Sequence, residues 1–382
     1  MFTDKSPSRP AATAAAPGAG LTLEGIAKEY GGVRAVDDVS LAIEPGQFVT
    51  LLGASGSGKT TLLRVIAGFL DPDAGRVLID GRDVTGIPVH RRNIGMVFQS
   101  YALFPHMSVE RNIAFPLAMR GMRKAERRAL VAEALESVHL PGYEHRMPAQ
   151  LSGGQRQRVA LARAIVSKPS LLLMDEPLGA LDRRLREALQ VEILRLSREL
   201  GLTVVNVTHD QEEAFTMSDR IALLADGRLI QYASPEEIYT RPVSDVAAAF
   251  LGESNLLRGV LERAADGRLT LPAGDGQVVV DAATAVRSAP QAGDEVVVVV
   301  RPWSVGVQRA SGRDAEPAGG CWLRARLSAV IYAGDSQKLI VERPDGSELV
   351  VRRSMDGQFE AEPGEEVLLT WSSRDAVVTT VG

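Results

Sequence analysis

The chain has 382 residues, of which 45% are hydrophobic and 24% charged, a balance typical of soluble globular proteins but too long for one ordinary core. Its formal net charge of -5 gives no long-range attraction for nucleic acid, and no apolar run approaches the roughly 18 to 20 residues that a bilayer crossing requires. The single cysteine, Cys321, excludes an intramolecular disulfide and a thiolate metal cluster and fits a reducing cytosol.

The N-terminal segment, residues 1 to 20, is rich in Ala, Pro and Gly and lacks the apolar middle of a secretory signal. Because such a composition cannot bury enough apolar surface to fold, we expect a disordered tail. From about Leu21 to Tyr239, short apolar runs alternate with helical stretches. Alternation of this kind predicts an α/β domain built on a largely parallel sheet.

A glycine-rich loop directly follows the apolar run Phe48 to Leu52 and opens a helix. Strand, glycine loop and helix in this order predict a cradle for nucleotide phosphates, because bare backbone N–H groups and a helix N-terminus attract anionic oxygens. Lys59 would reach the β- and γ-phosphates of the nucleotide, and the Thr60 hydroxyl would bind Mg²⁺. The predicted nucleotide contacts are Gly53, Ser55, Gly56, Ser57, Gly58, Lys59, Thr60 and Thr61.

The segment Leu151-Ser152-Gly153-Gly154-Gln155 has two interpretations. Ser152 with Gln155 three residues later predicts a capping box for a helix over Arg156 to Val166. Two glycines in a first helical turn are costly unless the backbone approaches something closely, so the segment also fits a second anion-binding helix start. Further along the chain, Asp210 with Glu213 predicts another capping box.

Three apolar runs predict strands buried on both faces, at Leu171 to Met174, Thr203 to Val207 and Ile221 to Leu224. The first ends in two carboxylates. Asp175 would hold Mg²⁺ through its water shell, and Glu176 would act as the base or orient the attacking water. Taken without the glycine loop, the pair could equally be a polar strand terminus.

After Arg241-Pro242 the pattern changes to short Val-rich runs separated by Asp-Gly turns, which predict a small antiparallel β-barrel or sandwich.

Helical periodicity over Lys124 to Val138 predicts a helical insertion within the α/β domain. The predicted organisation is therefore a tail over residues 1–20, a nucleotide-binding domain over 21–241 with the insertion at about 100–149, a linker over 242–255 and a β domain over 256–382.

The glycine loop, the Leu-Ser-Gly-Gly-Gln segment and the strand that ends in Asp175 and Glu176 together resemble the ATP-hydrolysing subunit of ATP-binding-cassette (ABC) transporters. The resemblance covers Leu21 to about Phe250. It implies that two cassettes pack head to tail in an ATP-dependent dimer, so that the signature residues of one subunit cover the nucleotide of the other. Those residues are Ser152, Gly153, Gly154 and Gln155.

The same resemblance implies roles for four further residues. Tyr30 would stack on adenine, although it could equally be a surface residue, and Gln99 would touch Mg²⁺ and the attacking water. Asp182, in Ala180-Leu181-Asp182, would lie in the loop that crosses the dimer seam, and it could also be the N-cap of the helix from Arg183. His209 would contact the γ-phosphate.

The β tail resembles the oligonucleotide-binding-like TOBE domain of importer ATPases. Glu253-Ser254-Asn255 and Ala333-Gly334-Asp335-Ser336 are most similar to the spermidine/putrescine-type branch, with ferric-iron and sugar-type members close. This resemblance implies an ATPase at the cytoplasmic face of the inner membrane that energises uptake of a small solute. Its partners would be a second copy, two transmembrane permease subunits and, through them, an extracytoplasmic solute-binding protein, with no nucleic acid.

The exposed apolar run Tyr101 to Pro105, with Met107, is expected to receive a permease, although a packing role alone would also explain it. Two other classes of function stay open on the sequence. One is a soluble ABC ATPase that acts on nucleic acid or ribosomes. The other is a nucleotide-dependent regulator whose β tail is the working part.

Overall fold

The computed structural model describes residues 18–179, 181–274, 276–286, 288–310, 320–355, 359 and 361–379. The chain divides into two compact units, Met1–Leu229 and Ile230–Gly382. Within the described ranges, no helix combines the length and the apolar character needed to span a membrane.

The first unit is an α/β domain, as predicted. Its elements are β1 (Leu21–Tyr30), β2 (Val33–Ile43), β3 (Phe48–Leu52), α1 (Lys59–Ala67), β4 (Ala74–Ile79), β5 (Arg82–Asp83), β6 (Ile94–Val97), α2 (Val109–Met119), α3 (Lys124–Ser137), α4 (Gly153–Ile165), β7 (Leu171–Asp175), α5 (Arg183–Glu199), β8 (Thr203–Thr208), α6 (Gln211–Met217) and β9 (Arg220–Ala225). The chain then crosses into the second unit through β10 (Arg228–Ala233).

A parallel sheet forms the centre of this unit, with neighbouring strands in the order β9-β3-β8-β7-β6. Its central strands are buried on both faces, since every residue of β3 and β8 is buried. The carboxyl ends of parallel strands lie at one edge of a sheet. Residues that follow β3, β6, β7 and β8 therefore meet there.

A second, antiparallel sheet in the order β2-β1-β4-β5 was not predicted. The turn between its two longest strands consists of Gly31 and Gly32, whose φ angles are 56° and 87°. A glycine pair between two strand-like runs is a hairpin signal, since glycine adopts positive φ without steric cost. The predicted insertion, about residues 100–149, contains α2 and α3, which pack on α4 through Ile113, Leu135 and Val159.

The second unit is almost entirely β structure, as predicted. Its elements after β10 are α7 (Pro235–Thr240), α8 (Asp245–Phe250), β11 (Asn255–Val260), β12 (Glu262–Arg263), β13 (Leu269–Pro272), β14 (Gly276–Val280), β15 (Glu295–Val300), β16 (Gly306–Arg309), β17 (Cys321–Tyr332), β18 (Ser336–Glu342), β19 (Glu348–Ser354), β20 (Glu366–Trp371) and β21 (Ala376–Thr379).

These strands form a three-stranded sheet, β11-β15-β21, and a larger antiparallel sheet in which β14, β17, β18 and β19 are successive neighbours. Their inward residues form one core that includes Val298, Leu323 and Leu369. The predicted linker, residues 242–255, is helical in part, because α8 lies within it. Arg301 holds this region, since its guanidinium donates to the Ala248 carbonyl at 3.2 Å and to Ser254 Oγ, and also lies 4.0 Å from the Tyr239 ring centre.

Most of the predicted disordered tail, residues 1 to 20, lies outside the described residues. Its last three residues correct the prediction, because they are hydrogen-bonded to the α/β domain. Gly18 N–H donates to the Gly201 carbonyl, and Ala19, which is 1% exposed, donates to the Ser170 carbonyl. Residues 18 to 20 therefore belong to the ordered part of the α/β domain, ahead of β1.

Candidate active site

The glycine loop after β3 has the geometry that a phosphate cradle requires. The backbone of Gly58, at the N-cap of α1, has a φ of 96°, which L-residues rarely adopt. A Cβ atom at Gly58 would lie 2.3 Å from the Ala35 carbonyl oxygen, and one at Gly53 would lie 2.2 Å from that of Leu224. Both positions therefore exclude any side chain, which leaves backbone N–H groups at the helix start to face an anion.

Lys59 is the first residue of α1, and its side chain folds back over the loop. Its Nζ donates to the carbonyls of Gly53 at 2.8 Å and Ala54 at 2.7 Å. Burial lowers the pKa of Lys59, while the nearby carboxylates of Glu176 and Asp175 oppose that shift. The ammonium group is therefore held at the loop by local hydrogen bonds and faces two acids from the end of β7.

Thr60 and Asp175 form the second pair of the site. The Thr60 hydroxyl donates to Asp175 Oδ1 at 3.2 Å, which brings the start of α1 to the end of β7. Burial raises the pKa of Asp175, and the Thr60 hydrogen bond opposes this rise. Among the described residues there is no cluster of three or more His, Cys, Asp or Glu that could hold a metal ion alone.

Glu176 lies between two of the residues that the sequence predicted for catalysis. Its φ of 46° turns the chain sharply out of β7, and its N–H donates to the Val207 carbonyl. Gln99 Nε2 donates to Glu176 Oε2 at 3.1 Å, and His209 Nδ1 lies 3.1 Å from Glu176 Oε1. A carboxylate only accepts hydrogen bonds, so this contact requires a proton on Nδ1 of His209. The other ring nitrogen, Nε2, takes no part in the contact with Glu176.

The signature segment forms the capping box that its spacing predicts. Ser152 Oγ accepts from the Gln155 N–H at 3.3 Å, and Gln155 Oε1 accepts from the Ser152 N–H at 3.0 Å. A Cβ atom at Gly154 would lie 2.9 Å from Leu185 of α5, so close helix packing explains that glycine. At Gly153 the nearest atom would be 3.5 Å away, an ordinary contact, so packing within the chain does not explain this second glycine.

The remaining predicted residues lie at element ends. Tyr30 closes β1 and is 50% exposed, with Lys28 Nζ 5.9 Å from its ring centre. Asp182 is the N-cap of α5, where its side chain accepts from the Leu185 N–H at 3.0 Å. Ala180 lies outside the described residues. The N-cap interpretation of Asp182 is therefore confirmed, and its role at a dimer seam stays a prediction.

The run Tyr101 to Pro105, with Met107, is exposed only in part, at Ala102 and Pro105, which corrects the predicted exposed apolar run and leaves its role in receiving a permease a prediction. Tyr101 is buried, while Leu103, Phe104 and Met107 are half-buried. The fully buried side chain of Asn112 holds this loop through hydrogen bonds to the backbone of Phe104, Met107 and Ser108.

Arg163 of α4 also holds this loop, and the sequence analysis missed it. Its guanidinium donates to the carbonyls of Tyr101 at 2.9 Å and Ala102 at 2.8 Å, two residues with positive φ that closely follow Gln99. Burial lowers the pKa of Arg163. A signal was present in the sequence, since Arg163 interrupts an otherwise apolar helix face of Val159 to Ile165.

The capping box predicted for Asp210 and Glu213 is only half formed. Asp210 caps α6 by accepting from the N–H groups of Glu212 and Glu213. The Glu213 side chain does not return to the cap, however, and points inward to Asn206 and Thr208 of β8. Burial on this side of the helix therefore overrides the local capping signal.

Comparisons with known proteins agree with this arrangement. Residues 36–179 match the ABC transporter family model, and residues 298–378 match the TOBE domain model. The spermidine/putrescine import ATP-binding protein of Frankia alni is 47% identical over 92% of this chain and 78% of its own. The protein of the same description from Thermobifida fusca is 43% identical over 98% of each chain.

Solved structures show the same cassette fold. The dimeric structure of the bacterial ABC transporter cassette MJ0796 is 36% identical, covers 56% of this chain and 98% of its own, and has a TM-score of 0.51. A second dimeric structure of that cassette, in a post-hydrolysis state bound to ADP and Pi, gives 34% identity and a TM-score of 0.50.

Proposed function

Because the chain belongs to the family of ABC transporter ATP-binding proteins, we propose that it is the ATP-hydrolysing subunit of an importer of the polyamines spermidine and putrescine. One observation carries the choice of solute. The polyamine-import relatives align over both units, including the second unit with its TOBE domain, at 47% and 43% identity. The cassette alone would support only ATP hydrolysis.

The side chains at the carboxyl edge of the sheet fit Mg²⁺ together with a nucleotide. Thr60 and Asp175 offer a hydroxyl and a carboxylate oxygen in direct contact, and hard oxygen ligands are those that Mg²⁺ prefers. Mg²⁺ usually binds through one or two protein oxygens plus phosphate and water, which agrees with a site that holds no larger acidic cluster among the described residues. When bound, Mg²⁺ would neutralise charge on the β- and γ-phosphates.

The residues around Glu176 have the chemistry for hydrolysis. Glu176 would accept a hydrogen bond, and then the proton, from the attacking water, while Gln99 and His209 hold the carboxylate from its two sides. Lys59 would turn from the loop carbonyls to phosphate oxygens, for which its ammonium group already lies at the helix start. Tyr30, half exposed at the end of β1, would stack on adenine.

A second copy of the chain would complete the site. Packing within its own chain does not require a glycine at position 153, so the backbone N–H of Gly153, at the start of α4, would serve an anion from outside the chain. We assign Ser152, Gly153, Gly154 and Gln155 to the γ-phosphate of the partner's nucleotide, and Asp182 to the seam between the two subunits. The homodimer would associate with two permease subunits at the cytoplasmic face of the inner membrane, and through them with a solute-binding protein.

Uptake by cells that lack this chain tests the proposal. Loss of the gene should abolish uptake of labelled spermidine and putrescine, and a plasmid copy should restore it. The Lys59→Ala variant should not restore it, although it is expressed at the same level. If polyamine uptake is unchanged while uptake of a sugar or of ferric iron falls, the solute is wrong and the importer role survives. If the purified chain does not hydrolyse ATP with or without the permease pair, the proposal fails altogether.

A further inference from the structure

Glu213 is a buried carboxylate on α6 that is bonded to the last residues of β8, the strand that His209 follows. It lies on α6, one turn after the Asp210 cap, and only 2% of it is exposed. Its two oxygens accept from β8: Oε1 from Asn206 Nδ2 at 2.8 Å and Oε2 from Thr208 Oγ1 at 3.2 Å. Burying a carboxylate is costly, so a side chain that only packed α6 on the sheet would be better served by an apolar residue.

The hydroxyl of Thr208 links Glu213 to His209. Thr208 Oγ1 donates to Glu213 and at the same time accepts from the Asp210 N–H at 3.0 Å. The Thr208 hydroxyl has a single proton. When that proton points to Glu213, a lone pair of the same oxygen is left to accept from the Asp210 N–H. These two bonds fix the residues on either side of His209, whose ring contacts Glu176. A chain of two hydrogen bonds therefore connects Glu213 to the residues on both sides of His209.

Few charges face this carboxylate. Arg186 of α5 and Asp210 act on it from a distance, with opposite sign. The strands packed against α6 contribute no charged side chain, since β3 reads Phe-Val-Thr-Leu-Leu and β8 reads Thr-Val-Val-Asn-Val-Thr. The side-chain oxygen of Asn206, Oδ1, is buried without a hydrogen-bond partner among the described residues. Within the part of the chain that the structure describes, the side-chain hydrogen bonds of Glu213 thus lead to Asn206 and Thr208, and through Thr208 to the turn that carries His209.

We propose that Glu213 is a positioning residue for ATP hydrolysis, which sets the place of His209 beside Glu176 through the hydroxyl of Thr208. The inference rests on the proposed function, since it assigns a role in that reaction. It is distinct from a role in nucleotide binding, because the side-chain hydrogen bonds of Glu213 go to Asn206 and Thr208 of β8 and not to the glycine loop. Its loss should therefore lower kcat for ATP and leave KM unchanged.

Steady-state ATP hydrolysis by the full-length chain tests this with paired variants. Glu213→Leu keeps the volume but removes the acceptor, and we expect kcat to fall by about tenfold or more with KM within about twofold of wild type. Glu213→Gln keeps one acceptor oxygen for Thr208. If the amide of Asn206 turns by 180°, its unbonded oxygen can accept from the amide N–H₂ of the new glutamine. We expect this variant to retain kcat within about twofold. Glu212→Leu, on the exposed face of the same turn, is the matched control.

Thr208→Val tests the link without altering Glu213. We expect it to reproduce the loss in Glu213→Leu, and the double variant to be no worse than either single one, because both act through one hydroxyl. If Glu213→Leu does not fold, the Thr208→Val result decides alone. Wild-type kcat in Thr208→Val, or a rise of KM that matches the fall of kcat, would overturn the inference. An inactive wild-type chain would instead overturn the proposed function.

Discussion

His209 Nδ1 lies 3.1 Å from Glu176 Oε1, and the other oxygen of the same carboxylate accepts from Gln99. The three residues follow three neighbouring strands, β8, β7 and β6. Glu176 is thus held from both sides before any water reaches it, which restricts the carboxylate to one orientation. Preorganisation of this kind is what a base or a water-orienting group needs.

Replacing Glu176 with Gln should separate ATP binding from hydrolysis. The amide keeps the size of the side chain but cannot take a proton, so we expect hydrolysis to fall by about 10²-fold or more while ATP affinity is retained. An ATP-bound dimer should then accumulate, which size-exclusion chromatography with nucleotide detects. Glu187→Gln on the exposed side of α5 is the control. Wild-type turnover in Glu176→Gln would remove Glu176 from its assigned role.

Mixed dimers should reveal whether the site is shared between subunits. We expect Lys59→Ala and Ser152→Arg homodimers each to be inactive, because each lacks one half of both sites. A mixture contains heterodimers with one intact site, so activity should reappear at up to about half of the wild-type value per heterodimer. The measurement is ATPase rate against mixing ratio. No recovery in a mixture whose heterodimers are confirmed by mass would count against the shared site.

Arg163 should stabilise the loop that follows Gln99. Arg163→Met removes two charge-assisted hydrogen bonds to Tyr101 and Ala102, and we expect the free energy of unfolding to fall by about 1 to 3 kcal/mol. Arg163→Lys should recover only part of this, because an ammonium cannot match the fork of a guanidinium. Urea denaturation measures the effect, and Arg184→Met on the exposed face of α5 is the control. Equal stability of the Met and Lys variants with wild type would contradict the assignment.

The buried acid at position 213 should make stability depend on pH. Burial raises the pKa of Glu213 from its ordinary value of 4.5 to about 7. Between these two values the folded chain keeps a proton that the unfolded chain has lost, so stability falls as pH rises through this window, by about 3 kcal/mol in total. Glu213→Gln removes this term.

Thermal unfolding of wild type and Glu213→Gln measures the difference. The melting temperature of the variant relative to wild type should rise from about pH 5 to about pH 7 and then level off. Other acids whose pKa burial raises, such as Asp175, are present in both proteins and cancel in the comparison. A difference that does not change with pH would mean that Glu213 stays ionised throughout.

The sequence by itself determined the local features of this protein. The glycine loop, the Ser152 and Gln155 capping box and the Asp182 N-cap each depend on residues within one turn of each other, so spacing alone defines them. Buried parallel strands were evident from near-continuous apolar runs. The antiparallel sheet was missed, although Gly31 and Gly32 gave its hairpin signal.

Only the tertiary structure decided which distant side chains meet. Resemblance suggested roles for Gln99, Glu176 and His209, but their contact follows from the order β6-β7-β8, which brings three strand ends together. The tertiary structure likewise decided that the Glu213 side chain points to β8 and that Tyr101 is buried. It also placed the Arg163 guanidinium against the carbonyls of Tyr101 and Ala102. A local pattern cannot report these outcomes, because the energy of a buried charge or hydroxyl depends on partners that lie far away along the chain.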